Sequence, residues 1–241
     1  PGDGVEELDQ HLVMGVNNLS VDEWEESFGK VYRTLIDEGL ETIMVGHIAL
    51  PEMSRKLVPG IEDKDIKPAT LSKVLLTDLL REDMNFNGLV ITDASHMVGM
   101  SATSKRCDAV PGAIIAGCDM FLFANDIAED MAYVRKAYED GLLTEERLEE
   151  AVRRILGMKA HLNLTDESVI IPDKKELDNI GCDAHRECAK KAADECITLV
   201  KDTYKNLPVN PDEKKRVFLV YVGSTPTTKG YTGDPVNKVV I

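Results

Sequence analysis

Two hydrophobic rhythms alternate along the first two thirds of the chain. Ser20-Val21-Asp22-Glu23 has the form of a capping box, and Trp24, Phe28, Val31 and Leu35 follow at helical spacing, which predicts a helix over 21–37 ended by Gly39. The run Thr42–Ile48, closed by Pro51, reads as a strand. Leu71, Val74, Leu75 and Leu79 share one face of a second helix, which leads through Asn85-Phe86-Asn87-Gly88 into Leu89-Val90-Ile91. That second run is short and uniformly apolar, the pattern of a strand buried on both faces of a parallel sheet. A helix near 109–117, a strand at Met120–Phe123, a helix over 127–139 and a helix opened by Thr144-Glu145-Glu146 continue the series. In the last of these, Leu148, Val152, Ile155 and Leu156 form the apolar stripe. Regular alternation of strand and helix predicts an α/β fold, a parallel sheet covered by helices.

The periodicity lapses between Leu164 and Asp178, which places a first unit at 1–164, a linker at 165–178 and a second unit at 179–241. The second unit is expected to hold a helix over 182–196, a strand at Ile197–Val200 and a stronger strand at Val217–Val222, and the chain stops in the apolar run Val239-Val240-Ile241. A closed (β/α)8 barrel needs eight strands, and the first unit offers three convincing ones. The chain therefore reads as a piece of a larger protein, cut at both ends.

Charge narrows the partners. The chain carries 28 basic against 43 acidic residues, a net charge of −15, which disfavours a nucleic-acid backbone or an anionic membrane surface as partner. Neutral small molecules, sugars and proteins remain. No apolar run is long enough to span a bilayer. The five cysteines form no C-x-x-C pair, so neither a disulfide framework nor a zinc knuckle is indicated. With no apolar signal region at its start, the expected location is the bacterial cytoplasm.

Three polar clusters fall on loops at one edge of the sheet. Asp93, with Ser95 and His96 close behind it, follows the Leu89–Ile91 strand, at the carboxyl end where α/β folds bind ligands; it reads either as a cap for the following turn or as a reacting group. Asp9 and His11, two apart in an extended loop, point the same way, so the carboxylate can fix the imidazole for acid/base work; the alternative is a pair of solvated loop residues. His47 ends its strand with Glu52 and Arg55 beyond it, and is otherwise a histidine satisfied in the core. No two of Asp9, His11, His47 and Asp93 form an i, i+4 pair, so no metal is expected.

These segments carry a resemblance. Asn87-Gly88-Leu89-Val90-Ile91-Thr92-Asp93-Ala94 resembles the nucleophile segment of glycoside hydrolase family 3. Pro1-Gly2-Asp3-Gly4-x4-Asp9-Gln10-His11 resembles the P-G-H-G-x4-D-x-H loop of that family's β-N-acetylhexosaminidase branch, with Asp3 in place of its usual His. Met44-Val45-Gly46-His47-Ile48 resembles the strand end between them, and Ala116-Gly117-Cys118-Asp119-Met120 the approach to the last barrel strand. The resemblance covers residues 1–163, which it implies are the C-terminal part of a (β/α)8 TIM-type barrel, incomplete, and Ala193–Leu207 is similar to the start of the family's α/β-sandwich domain. It implies a retaining glycoside hydrolase acting on terminal β-linked N-acetylglucosamine or glucose without cofactor: Asp93 as nucleophile, His11 oriented by Asp9 as acid/base, and His47 against the sugar. Two other expectations stand beside it. One is a catalytically incomplete piece that self-associates through exposed sheet edges. The other is a phosphoacceptor receiver domain, which the sequence disfavours, since Phe121-Leu122-Phe123-Ala124-Asn125 and Met44-Val45-Gly46-His47 lack that fold's Ser/Thr and Lys.

Overall fold

A computed structural model describes residues 1–4, 6–167, 173–205, 207–208 and 210. The chain divides into two compact units, Pro1–Pro172 and Asp173–Ile241. In the first, β1 (Gly15–Val16) pairs in parallel with β3 (Ile48–Ala49). Three further strands, β2 (Thr42–Val45), β4 (Leu89–Ala94) and β5 (Met120–Leu122), form a parallel sheet with β4 in the middle. Met44 lies opposite Ile91 and Ile91 opposite Met120, so one row of side chains crosses all three strands.

The helix α1 is continuous but not uniform: Val21–Trp24, a wider π turn over Glu25–Gly29, then Lys30–Asp37. Its capping box forms, with Ser20 Oγ accepting from Glu23 N and the Glu23 carboxylate accepting from Ser20 N at 2.9 Å. The π turn adds a residue to one turn and moves the core-facing, half-buried stripe from the expected Val31 and Leu35 to Tyr32 and Ile36. Val31 is 55 % and Leu35 45 % exposed.

Helices α2 (Pro51–Leu57), α3 (Val74–Asp83), α4 (Val98–Ser101), α5 (Arg106–Ala116), α6 (Ile127–Glu139) and α7 (Glu145–His161) complete the unit. Leu75, Leu76, Leu79 and Leu80 of α3 cluster with Ile43, Val45 and Val90, so the core lies between one face of the sheet and its helices. The other face differs from the expectation of strands buried on both sides: Met44 is 55 % and Met120 37 % exposed, with Ile91 half-buried between them. Among the described residues helices cover only one face, and apolar residues of the other remain open.

The α7 stripe is a second departure. Leu148, Val152 and Leu156 are exposed, and Ala151 is the buried residue of the helix. The docked face is set by Arg147 and Arg154, which flank Ala151 and reach a buried carboxylate, Asp119; the small alanine permits close approach.

In the second unit Asp173 caps a short 3₁₀ turn at Lys174–Asn179, and α8 runs over Asp183–Cys196. Ile197–Val200 is not a strand. Its side chains are exposed, and among the described residues no neighbouring strand offers the backbone partners an isolated strand lacks. The expected strand at 217–222 and the apolar run at 239–241 lie outside the described residues.

Candidate active site

The carboxyl end of β4 organises the site. Period-2 geometry puts Asp93 on the same face as Ile91, the open one. Asp93 is half-buried, and its Oδ1 accepts from the following backbone N–H of Ala94 at 2.7 Å.

His47 lies directly beside this strand end, 2 % exposed. The Ala94 carbonyl can only accept, so His47 Nε2 carries the proton it donates there at 3.0 Å, and Nδ1 meets Thr70 Oγ1 at 2.8 Å. Burial holds the His47 pKa below the ordinary histidine value, against the opposing pull of the Ala94 carbonyl and the Asp93 carboxylate. Both ring nitrogens are thus engaged within the protein.

The Asp9–His11 pair forms, by a different geometry from the extended loop expected. Asp9 closes a turn: its carbonyl accepts from Leu12 N, and its Oδ1 accepts from His11 N at 2.9 Å and from His11 Nδ1 at 2.8 Å. These two bonds, backbone first, lower the Asp9 pKa and keep its carboxylate charged. With Nδ1–H committed to Asp9, Nε2 is the free edge of the His11 ring, and the side chain is 77 % exposed. The turn is tied to the segment after β4 by a bond from Val98 N to the His11 carbonyl at 3.3 Å. Gly99 packs there so closely that a Cβ would lie 2.7 Å from His47 Cβ. Asp9, His11, His47 and Asp93 therefore converge on one edge of the sheet, although no three His, Cys, Asp or Glu side chains among the described residues gather as metal ligands.

Residues 1–158 match the glycosyl hydrolase family 3 N-terminal domain. The chain belongs to glycosyl hydrolase family 3. It is 45 % identical over its whole length to a beta-N-acetylglucosaminidase/beta-glucosidase of Cellulomonas fimi, of which it covers 43 %. It is 31 % identical to a beta-hexosaminidase of Hydrogenovibrio crunogenus over 68 % of this chain and 42 % of that protein. Among solved structures, the beta-glucoside phosphorylase BglX superposes with a TM-score of 0.79 at 45 % identity, over 88 % of this chain and 38 % of the other. The chain thus spans about two fifths of the length of these relatives.

In this family 3 chain the sequence patterns pointed to Asp9, His11, His47 and Asp93, and to Ser95 beside Asp93, but not to Arg106 and Asp130, which complete the brace at the β4 exit. Ser95 N donates to Leu122 O at 2.8 Å, and Ser95 Oγ donates to Phe123 O. Arg106 Nη1 reaches Ser95 Oγ at 3.2 Å, and its guanidinium forks onto Asp130 at 2.8 and 2.6 Å. Asp130 also accepts from Asn125 N at 3.1 Å. Apart from Asn125 and Asp130, which are 5 apart, the partners are 11 to 28 residues apart, so no local spacing announces them.

The opposite edge of the sheet is built differently. Asp119, just before β5, is fully buried and accepts from Arg81 at 2.7 Å, Arg147 at 2.8 Å, Arg154 at 3.4 Å and Val90 N at 2.9 Å. A cleft of about 500 Å³ opens beside these arginines, whose charges are already directed at one carboxylate.

Proposed function

We propose that this chain is part of the catalytic barrel of a retaining β-glycosidase, acting on a terminal N-acetylglucosamine or glucose through a covalent glycosyl–Asp93 intermediate. The observation that carries the reading is a strand-end carboxylate on the open sheet face that, among the described residues, accepts only from the adjacent Ala94 N–H, with an imidazole–carboxylate pair fastened to the segment that follows that strand. Asp93 attacks the anomeric carbon as the bond to the aglycone oxygen breaks. His11, as the imidazolium, gives its Nε2 proton to that oxygen; Asp9 holds Nδ1–H and stabilises the ring's positive charge. Water then attacks the glycosyl–enzyme, returns a proton to His11 Nε2 and frees Asp93. His47 serves this centre by fixing the β4 end beneath the sugar, since both its ring nitrogens are occupied.

Three parallel strands with one face uncovered, and a match to about two fifths of the relatives, support an incomplete barrel followed by the start of a second domain. On that reading, the 241 residues alone are slow or inert where the whole protein turns over, and their open edges promote self-association. The similarity to a beta-glucoside phosphorylase favours one variation: phosphate in place of water as the acceptor. An imidazole, unlike a second carboxylate, does not repel an arriving phosphate anion.

A 2-fluoro sugar with an activated leaving group tests the assignment in the full-length enzyme. Label is expected on the peptide bearing Asp93, and Asp93→Asn abolishes turnover; label on another carboxylate refutes the nucleophile. Product analysis in water and in phosphate separates hydrolysis from phosphorolysis.

A further inference from the structure

The clamp of Ser95, Arg106 and Asp130 at the exit of β4 belongs to no acid/base or nucleophilic role, yet it is joined by a continuous chain of bonds at that edge. A strand that ends in a reacting carboxylate must stop moving just beyond it, because a displacement of one ångström at the reacting atom costs about a hundredfold in rate. Ser95 is two residues past Asp93 and 4 % exposed. Its backbone and hydroxyl both bond to carbonyls at the exit of β5, which fastens the middle strand to its neighbour past the end of their ladder. The hydroxyl gives its single proton to Phe123 O, so the second bond, from Arg106, uses its lone pair and fixes the rotor.

Arg106 could not hold that geometry alone. Its guanidinium is forked onto Asp130, a carboxylate with only 7 % of its side chain exposed, and it lies 5.8 Å from the Phe121 ring centroid. Asp130 sits in the first turn of α6, where a negative charge is favoured, and captures Asn125 N of the β5–α6 loop. The first turns of α5 and α6 and the exits of β4 and β5 are thereby joined through one ion pair.

We infer that Arg106 and Asp130, acting through Ser95, are positioning residues that set the direction of Asp93 toward the anomeric carbon. The inference rests on Asp93 being the nucleophile. They touch no reacting atom; they hold the strand end that does.

Ser95→Ala and Asp130→Asn in the full-length enzyme test this, since both preserve shape and remove one member of the chain of bonds. Turnover and the rate of 2-fluoro sugar labelling at Asp93 are expected to fall together by about ten- to a hundredfold, with KM within about twofold of the parent. In Arg106→Ala, added guanidinium is expected to restore part of the lost rate, which a general loss of stability does not allow. Labelling of Asp93 at an undiminished rate in the variants, with only the melting temperature lowered, overturns the positioning role and leaves the nucleophile intact. Label on a different carboxylate overturns the nucleophile and the positioning role with it.

Discussion

Removing the carboxylate at the amino-terminal edge of the sheet should unfasten α7. In Asp119→Ala the guanidinium groups of Arg81 and Arg147, with side chains 11 % and 14 % exposed, lose the charge they are aimed at, and Val90 N loses its acceptor. Burial already pulls the Arg81 pKa down, so an uncompensated cation there is costly. Breaking a buried pair by deleting one partner costs about 3–5 kcal/mol. For a domain of this size each kcal/mol moves the melting temperature by about 2–4 °C, so a fall of roughly 6–20 °C is expected. Arg154 is farther from the carboxylate, at 3.4 Å, and Arg154→Ala should cost only about 1 kcal/mol. Thermal melts by circular dichroism give the totals, and amide hydrogen exchange locates them: protection should be lost first in α7, whose apolar stripe is exposed and contributes little to docking. A melting temperature within about 2 °C of the parent for Asp119→Ala, with α7 still protected, would refute the claim that this carboxylate holds the helix.

Three further outcomes follow from particular contacts. A methyl group at Gly88 would lie 2.3 Å from the Glu41 carbonyl, where β2 and β4 begin to pair, so Gly88→Ala should destabilise by about 1–3 kcal/mol, read from the urea midpoint. Because burial depresses the His47 pKa below 6.5, the unfolded chain binds the proton more readily; the stability from His47 is complete above about pH 6.5 and is lost as pH falls toward the folded value. The His47→Gln variant should show a flatter melting temperature over that window, and an unchanged slope would remove His47 as its source. In the full enzyme, His11→Ala should cost most for substrates with poor leaving groups and least for activated aryl glycosides, whereas equal loss across a leaving-group series would argue against the acid role.

The features legible in the sequence are those whose determinants are local. The Ser20–Glu23 box, the β4 run ending at Asp93 and the Asp9–His11 pair each lie within a few residues, and each forms. What was not legible depends on distant partners. The buried face of α7 was misjudged because its arginines answer to Asp119, 28 and 35 residues away, and their pull outweighs the leucine stripe. In α1, a single π turn shifts the register of the apolar stripe, a change that hydrophobic spacing counted at 3.6 residues cannot register. His47 did carry a signal: it is followed by the apolar run Ile48-Ala49-Leu50, and all four residues are buried.

The two carboxylates that flank the sheet show why a residue's surroundings separate structure from chemistry. Asp119 is surrounded by donors, with three arginines and a backbone N–H on its two oxygens, and has no capacity left for a ligand. Asp93, on the adjoining strand but at the other end, accepts only from its neighbour Ala94 N among the described residues, and it faces the uncovered side of the sheet. Its position is secured indirectly, by bonds to Ala94 O and Ser95 that place no further donor on the carboxylate. The backbone just past this acid is braced while the acid itself is left under-bonded. That is the arrangement the proposed nucleophile needs, because on that reading the substrate supplies the missing partner.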